Sequence, residues 1–186
     1  MKYLIASDIH GSAYYCKKLL EAYQREEANC LLLLGDILYH GPRNPLPKEY
    51  DPKEVFAMLN EMKDEIICVR GNCDSEVDQM VLEFPMMADY CLLEVDGKTW
   101  FATHGHLFND EKIPPLKEGS ILLNGHFHLP VCQELAGITY LNPGSVSLPK
   151  EEGQHSYISY EKGVFTWKNV VYDRENPHVI LSLSLR

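Results

Sequence analysis

Among these 186 residues there is no Cys-x-x-Cys pair, no internal repeat and no low-complexity tract. No run approaches the roughly 20 apolar residues that a membrane span needs. Six cysteines stand apart at positions 16, 30, 68, 73, 91 and 132. That spacing excludes a disulfide framework or a thiolate zinc site, and four of them (Cys30, Cys68, Cys91, Cys132) fall in strand-like runs where a thiol packs as a small hydrophobe. Basic charge is scarce, with 17 Lys and Arg against 27 Asp and Glu and a net charge of −10. A protein that coats nucleic acid or an anionic membrane needs the opposite balance. Phosphorylated substrates stay open, because bound metals add cationic charge that a side-chain count omits. The opening MKYLIASDIHG is too short in apolar residues for a signal peptide and reads as the first strand of a cytoplasmic protein.

What is present is an apolar fraction of 45%, enough for one domain over residues 1–186 with a substantial core. Tyr3 to Ser7 and Leu31 to Leu34 show no polar alternation, the pattern of strands covered on both faces. Ser12 can cap a helix from about residue 13 to 24, and Asp51-Pro52-Lys53-Glu54 starts another. Ile66 to Val69 reads as a third strand and residues 75–82 as a short helix. The proline-rich stretch from Tyr39 to Tyr50 reads as a rigid loop. After Tyr90 the pattern becomes hairpins, turning at Asp96-Gly97, Ala136-Gly137 and Glu161-Lys162-Gly163. Asp173 to Pro177 reads as a turn. Two sheets packed face to face, with helices outside, accommodate both halves.

Five apolar runs end in oxygen or imidazole ligands. These endings are Asp8 and His10; Asp36 after Gly35; Asn72, Cys73 and Asp74 after Gly71; His104 and His106; and His126 and His128 after Gly125. Singly, each is an ordinary surface pair or satisfied turn; jointly they describe one site assembled from strand ends. The oxygen and nitrogen donor set suits Mn, Fe, Ni, Zn or Mg rather than a structural zinc. On this reading Asp8, His10 and His128 hold one ion, Asn72, His104 and His126 hold a second, and Asp36 bridges them. A shared carboxylate places two ions about 3.5–4 Å apart, the spacing for displacement at phosphorus. His106 is either a partner that orients a ligand or a plain loop residue. His40, His155 and His178, and the pair Glu151-Glu152, read as solvated, although His40 and Arg43 also follow Asp36 closely enough to bind substrate, Arg43 as a phosphate clamp.

The set SDIHG, LGD, GNCD, THGH and GHFH resembles the calcineurin-like metallophosphoesterase superfamily, and within it the YfcE-like bacterial phosphodiesterases, as far as NPGSVSLPK near residue 149. The resemblance implies a four-layer αββα sandwich and two divalent ions, usually manganese. It implies hydrolysis of small phosphodiesters and the same seven ligands. Many members carry histidine where this chain has Cys73, a residue thought to protonate or orient the leaving group. A thiol does this poorly, so good leaving groups are expected to react best, unless Cys73 only fills space. By analogy Asp74 braces the turn, which makes Asn72, Cys73 and Asp74 the catalytic candidates. The alternatives are a phosphomonoesterase on the same site and a scaffold resembling the retromer subunit of this fold. Apolar strands near the C-terminus are compatible with a homodimer or higher oligomer.

Overall fold

Strands that run parallel and are flanked on both sides need apolar residues at every position. β1 (Tyr3–Ala6) and β2 (Cys30–Leu33) meet that requirement, with every side chain buried. In this computed structural model, which describes residues 1–151, 153–171 and 179–185, the two pair in parallel and β2 pairs in parallel with β3 (Ile66–Cys68). The turn expected at Asp173 to Pro177, together with His178 and Glu152, lies outside the described residues.

The crossovers are helical. α1 (Ala13–Arg25) starts at Ser12, whose Oγ accepts from the Tyr15 N–H. α2 (Pro52–Asn60) starts at Asp51, whose carboxylate accepts from the Lys53 and Glu54 N–H groups. The short α3 (Glu76–Val81) opens with a Ser75–Asp78 capping box. Each cap satisfies amides that the first helical turn leaves without partners.

The remaining strands are β4 (Tyr90–Val95), β5 (Lys98–Thr103), β6 (Ile121–Leu123), β7 (Pro130–Leu135), β8 (Ile138–Pro143), β9 (Ser156–Glu161), β10 (Val164–Asn169) and β11 (Val179–Ser184). One sheet runs β11-β10-β9-β1-β2-β3 and the other β4-β5-β6-β8-β7. The Asp96-Gly97 and Ala136-Gly137 hairpins have both turn residues at positive φ, as two-residue turns between twisted strands require. The third hairpin also turns on two residues, Lys162-Gly163, since Glu161 pairs with Val164.

Between the sheets lies a core of Ile5, Leu32, Trp100, Leu123, Leu141, Ile158, Phe165 and Trp167. The opposite faces of β1 and β2 (Leu4, Ala6, Leu31, Leu33) pack with Leu19 and Tyr23 of α1 and Val55 and Leu59 of α2. The sandwich is therefore the α/β arrangement that the sequence predicts, with its helices on one side. Over the outer face of the second sheet, Phe101, Leu122 and Tyr140 are covered by Phe108, Ile113 and Leu116, and no helix lies there among the described residues.

β5, β6 and β8 are also mutually parallel. Each sheet thus has a parallel triplet whose strands all end on one side, where loops can gather side chains from several strands.

Candidate metal centre

The chain turns sharply as it leaves these strands, and the donor side chains sit on the turns. Asp8, His10, Asp36, His126 and His128 all have φ between 50° and 65°, a left-handed conformation uncommon for any residue but glycine. Neighbouring backbone is held close. A Cβ on Gly71 would lie 2.1 Å from Asp36 Oδ1, and one on Gly125 would overlap Ser7 Oγ.

Three imidazoles are anchored from behind. Nδ1 of His10 lies 2.9 Å from the Tyr39 carbonyl, Nδ1 of His104 2.7 Å from that of Leu34, and Nδ1 of His128 also meets a carbonyl, that of Leu148. A carbonyl only accepts, so each Nδ1 carries the proton and each Nε2 turns a lone pair into the site. There the lone pairs meet other acceptors. His10 Nε2 is 3.3 Å from His128 Nε2, and His128 Nε2 is 3.2 Å from Asp8 Oδ1. His104 Nε2 is 3.0 Å from Asn72 Oδ1 and 3.3 Å from Asp36 Oδ2. Asp8 Oδ1 is buried without a hydrogen-bond donor, while its Oδ2 accepts from the His126 N–H. Acceptors facing acceptors in a buried site need cations between them, so these residues fit metal ions.

Without cations, protons take their place. Burial alone would lower His104, but its hydrogen bond to Asp36 and the charges of Asp8 and Asp36 raise it to about 9. His10 also rises against its burial, through Asp8 and Asp36. Burial would raise Asp8, yet His10 and His128 hold it well below the usual carboxylate range. His126, whose ring lies 5.1 Å from that of His104, is pushed down to about 4 by burial and the His104 charge.

Groups of donors close enough to share an ion are Asp8, His10 and His128; Asp8, Asp36 and His104; and His10, Asp36 and Cys73. Cys73 therefore reaches the centre itself. Its N–H donates to Asp36 Oδ1 at 2.8 Å and its Sγ accepts from Asn72 Nδ2 at 3.3 Å. Burial and then the Asp36 charge push this thiol up to about 12, so it is protonated at neutral pH. Asp74 is buried and accepts from the N–H groups of Asp36, Ile37 and Gly71 at 2.7–2.9 Å. Burial and the Asp36 charge nevertheless raise it to about 6.

An open cleft of about 370 Å3 leads to the centre, lined by His10, Asp36, Asn72, Cys73, His126 and His128. Arg43 is on its wall, with Asn44, Phe127 and Lys150. His40 is not; its ring packs edge-on between Tyr39 and Tyr50. His106 lies 5.4 Å, ring to ring, from His104, and its buried Nδ1 has no hydrogen-bond partner. His155 is not a solvated residue: it stacks on Tyr15 at 3.9 Å and lies in hydrogen-bond contact with the Tyr15 hydroxyl.

Residues 1–162 match the model of the calcineurin-like phosphoesterase superfamily domain. The chain belongs to that superfamily. Within it, phosphodiesterase YfcE of Escherichia coli is 48% identical over 166 residues, covering 89% of this chain and 90% of the relative. The solved structure of the E. coli YfcE phosphoesterase superposes with a TM-score of 0.94 at 41% identity, covering the whole of both chains. Vacuolar Protein Sorting 29 from Cryptosporidium parvum shares the fold alone, with a TM-score of 0.64 at 16% identity over 99% of this chain and 98% of that one. Superfamily membership makes this a metal-dependent phosphoesterase by descent, in keeping with a donor set that fits cations.

Sequence reasoning missed the braces behind the centre. Ser145 Oγ and Ser147 Oγ both donate to the Asp8 carbonyl at 3.0 Å. Asn142 donates to the Gly125 carbonyl at 2.7 Å and to Asn124 Oδ1 at 3.1 Å. The signal available was a polar cluster, Asn142 to Ser147, following an apolar strand.

Proposed function

We propose that this chain hydrolyses small phosphodiesters with two divalent cations, manganese foremost, held by Asp8, His10 and His128 on one side and Asn72, His104 and His126 on the other, with Asp36 shared. The observation that carries this reading is the set of lone pairs converging on Asp36 and Asp8 with no donor between them. Divalent cations held by these residues would lower the pKa of water so that hydroxide is available at neutral pH, and would neutralise charge on the phosphate.

The chain's own residues do the rest. Asn72 presents a neutral oxygen to a cation and keeps N–H groups for hydrogen bonding, where a carboxylate would repel the substrate. Arg43, exposed on the cleft wall, donates to the oxygens of the scissile phosphate. Asp74 positions Asp36 and Gly71 through its three N–H contacts. Cys73, a neutral thiol, gives weak help to a departing alkoxide, which favours diesters with good leaving groups. The name of the E. coli relative supports diester over monoester hydrolysis. No helix among the described residues is long and apolar enough to cross a membrane, and we place the chain in the cytoplasm, acting on small substrates rather than extended nucleic acid.

The test is hydrolysis of bis(p-nitrophenyl) phosphate by manganese-loaded protein, beside p-nitrophenyl phosphate. Diester turnover that Asp36→Asn and His104→Ala abolish is expected. A higher rate on the monoester would make this a phosphomonoesterase, and no turnover of either would leave a metal-binding scaffold.

A further inference from the structure

Lys150 lines the same cleft as the metal centre, and no feature of the proposed reaction uses it. Its backbone N–H donates to the His128 carbonyl at 3.1 Å, which fixes the base of the side chain beside a metal ligand. Its ammonium has no ion pair among the described residues. The adjacent Glu151 carboxylate makes no ion pair with it and accepts from Gln154 Nε2 instead. Of the carboxylates near the centre, only Asp36 reaches the cleft wall, and Asp8 and Asp74 lie buried behind it. Two divalent ions, set against Asp8, Asp36, a hydroxide and a monoanionic diester, come to neutrality. The Asp74 carboxylate behind Asp36 balances Arg43, and Lys150 is then left over in a protein whose net charge is −10. Arg43 can serve the scissile phosphate; Lys150 cannot be accounted for by a diester whose two arms are neutral. A cleft of about 370 Å3 also falls within the range of small-molecule sites, well beyond the needs of one phosphate.

We infer that Lys150 binds a second anionic group, so that the preferred substrate is a phosphodiester carrying a further phosphate or carboxylate on one arm. This rests on the phosphodiesterase reading above and deepens it by naming the substrate class. Phe127, on the cleft wall between two ligand histidines, offers an aromatic surface to the organic part of such an arm.

The experiment compares thymidine 5′-(p-nitrophenyl phosphate) with its 3′-phosphorylated counterpart on the manganese-loaded full chain. The two share nucleoside and leaving group and differ by one anion. The expected preference for the 3′-phosphorylated substrate is about 10-fold in kcat/KM, carried by KM and shrinking as salt rises. Lys150→Ala brings the ratio close to one, and Lys150→Arg retains most of it. A ratio near one in the unaltered protein, or one that Lys150→Ala leaves in place, overturns the inference. Calorimetric affinities for thymidine 3′,5′-bisphosphate and thymidine 5′-monophosphate read the same ratio without turnover. If neither diester is cleaved but a Lys150-dependent affinity gap persists, the phosphodiesterase reading fails and the anion subsite stands. If the affinity gap is missing, the subsite fails whatever the turnover.

Discussion

A left-handed backbone at a non-glycine residue is unfavourable by roughly 1 kcal/mol or more, and five of the seven residues assigned to the metals carry it. The surroundings hold the strain: Ser145 and Ser147 on the carbonyl of Asp8, Asp74 on the amides of Asp36 and Ile37. Space is as tightly set as torsion. Gly71→Ala would drive a methyl into both the carboxylate and the backbone nitrogen of Asp36, so Asp36 has to move. We predict a loss of stability of about 1–3 kcal/mol in urea denaturation of the metal-free protein. Manganese affinity should fall by about 10-fold or more, as when the support of a metal ligand is removed. Native affinity in Gly71→Ala would show that Asp36 is not held by this contact. Cys73 makes a second prediction at this scale. Its thiol is neutral at pH 7 because burial and Asp36 push it up to about 12, so Cys73→His should accelerate diesters of poor leaving groups more than those of good ones. A series of aryl phosphodiesters measures this as a shallower Brønsted slope; equal acceleration across the series would assign Cys73 a space-filling role.

At the scale of elements, the centre is built by two parallel triplets, and half of that construction is written in the chain. Unbroken apolar runs such as Leu31 to Leu34 announce strands buried on both faces, and the donor residues after them announce which end matters. The Asp96-Gly97 turn and the Ser12 and Asp51 caps are local chemistry and legible for that reason. Strand order is not local: nothing in Ile121–Leu123 says that it lies between β5 and β8. The one-sided placement of helices was equally hidden, because the loop carrying Phe108, Ile113 and Leu116 covers its sheet without any helical periodicity. The braces at Ser145 and Ser147 act on a residue more than 130 positions away, and a serine in such a role has the sequence appearance of a solvated turn. Lys150 escaped notice because cleft lining depends on the path of the loop after β8. The Asn142 contacts give this scale its prediction. Asn142→Ala leaves the buried Asn124 Oδ1 without its donor and takes one of two donors from the Gly125 carbonyl, which keeps the Phe127 N–H, a loss of about 1–3 kcal/mol. Since Gly125 leads into His126 and His128, kcat/KM for bis(p-nitrophenyl) phosphate should fall with it. Restoration of activity by excess manganese would place the defect in metal affinity rather than in the folded fraction.

Across the whole molecule, one acidic residue ties together segments that are far apart in the chain. Glu26, at the C-terminal cap of α1, receives Lys2, the residue before β1, at 3.1 Å and Lys168 of β10 at 2.7 Å. The hydroxyls of Tyr157 and Ser159 on β9 donate to it as well. Burial alone would raise its carboxyl, but Lys168, Lys2 and Tyr157 bring it down to about 2. A folded-state pKa depressed in this way contributes stability above the unfolded value of about 4.5 and loses it as pH falls towards about 2. Glu26→Gln should therefore be less stable than the parent at pH 7 by about 2 kcal/mol, a partner having been removed from a largely buried, hydrogen-bonded ion pair. Denaturant midpoints of the two metal-free proteins, measured from pH 7 to pH 2.5, separate this effect from the titration of Asp8 and Asp36, which both proteins share. The gap should stay constant down to about pH 5 and narrow below it. A gap that is flat to the lowest pH would mean that packing of the Glu26 stem, and not its charge, joins the N-terminal strand and helix to the C-terminal hairpin.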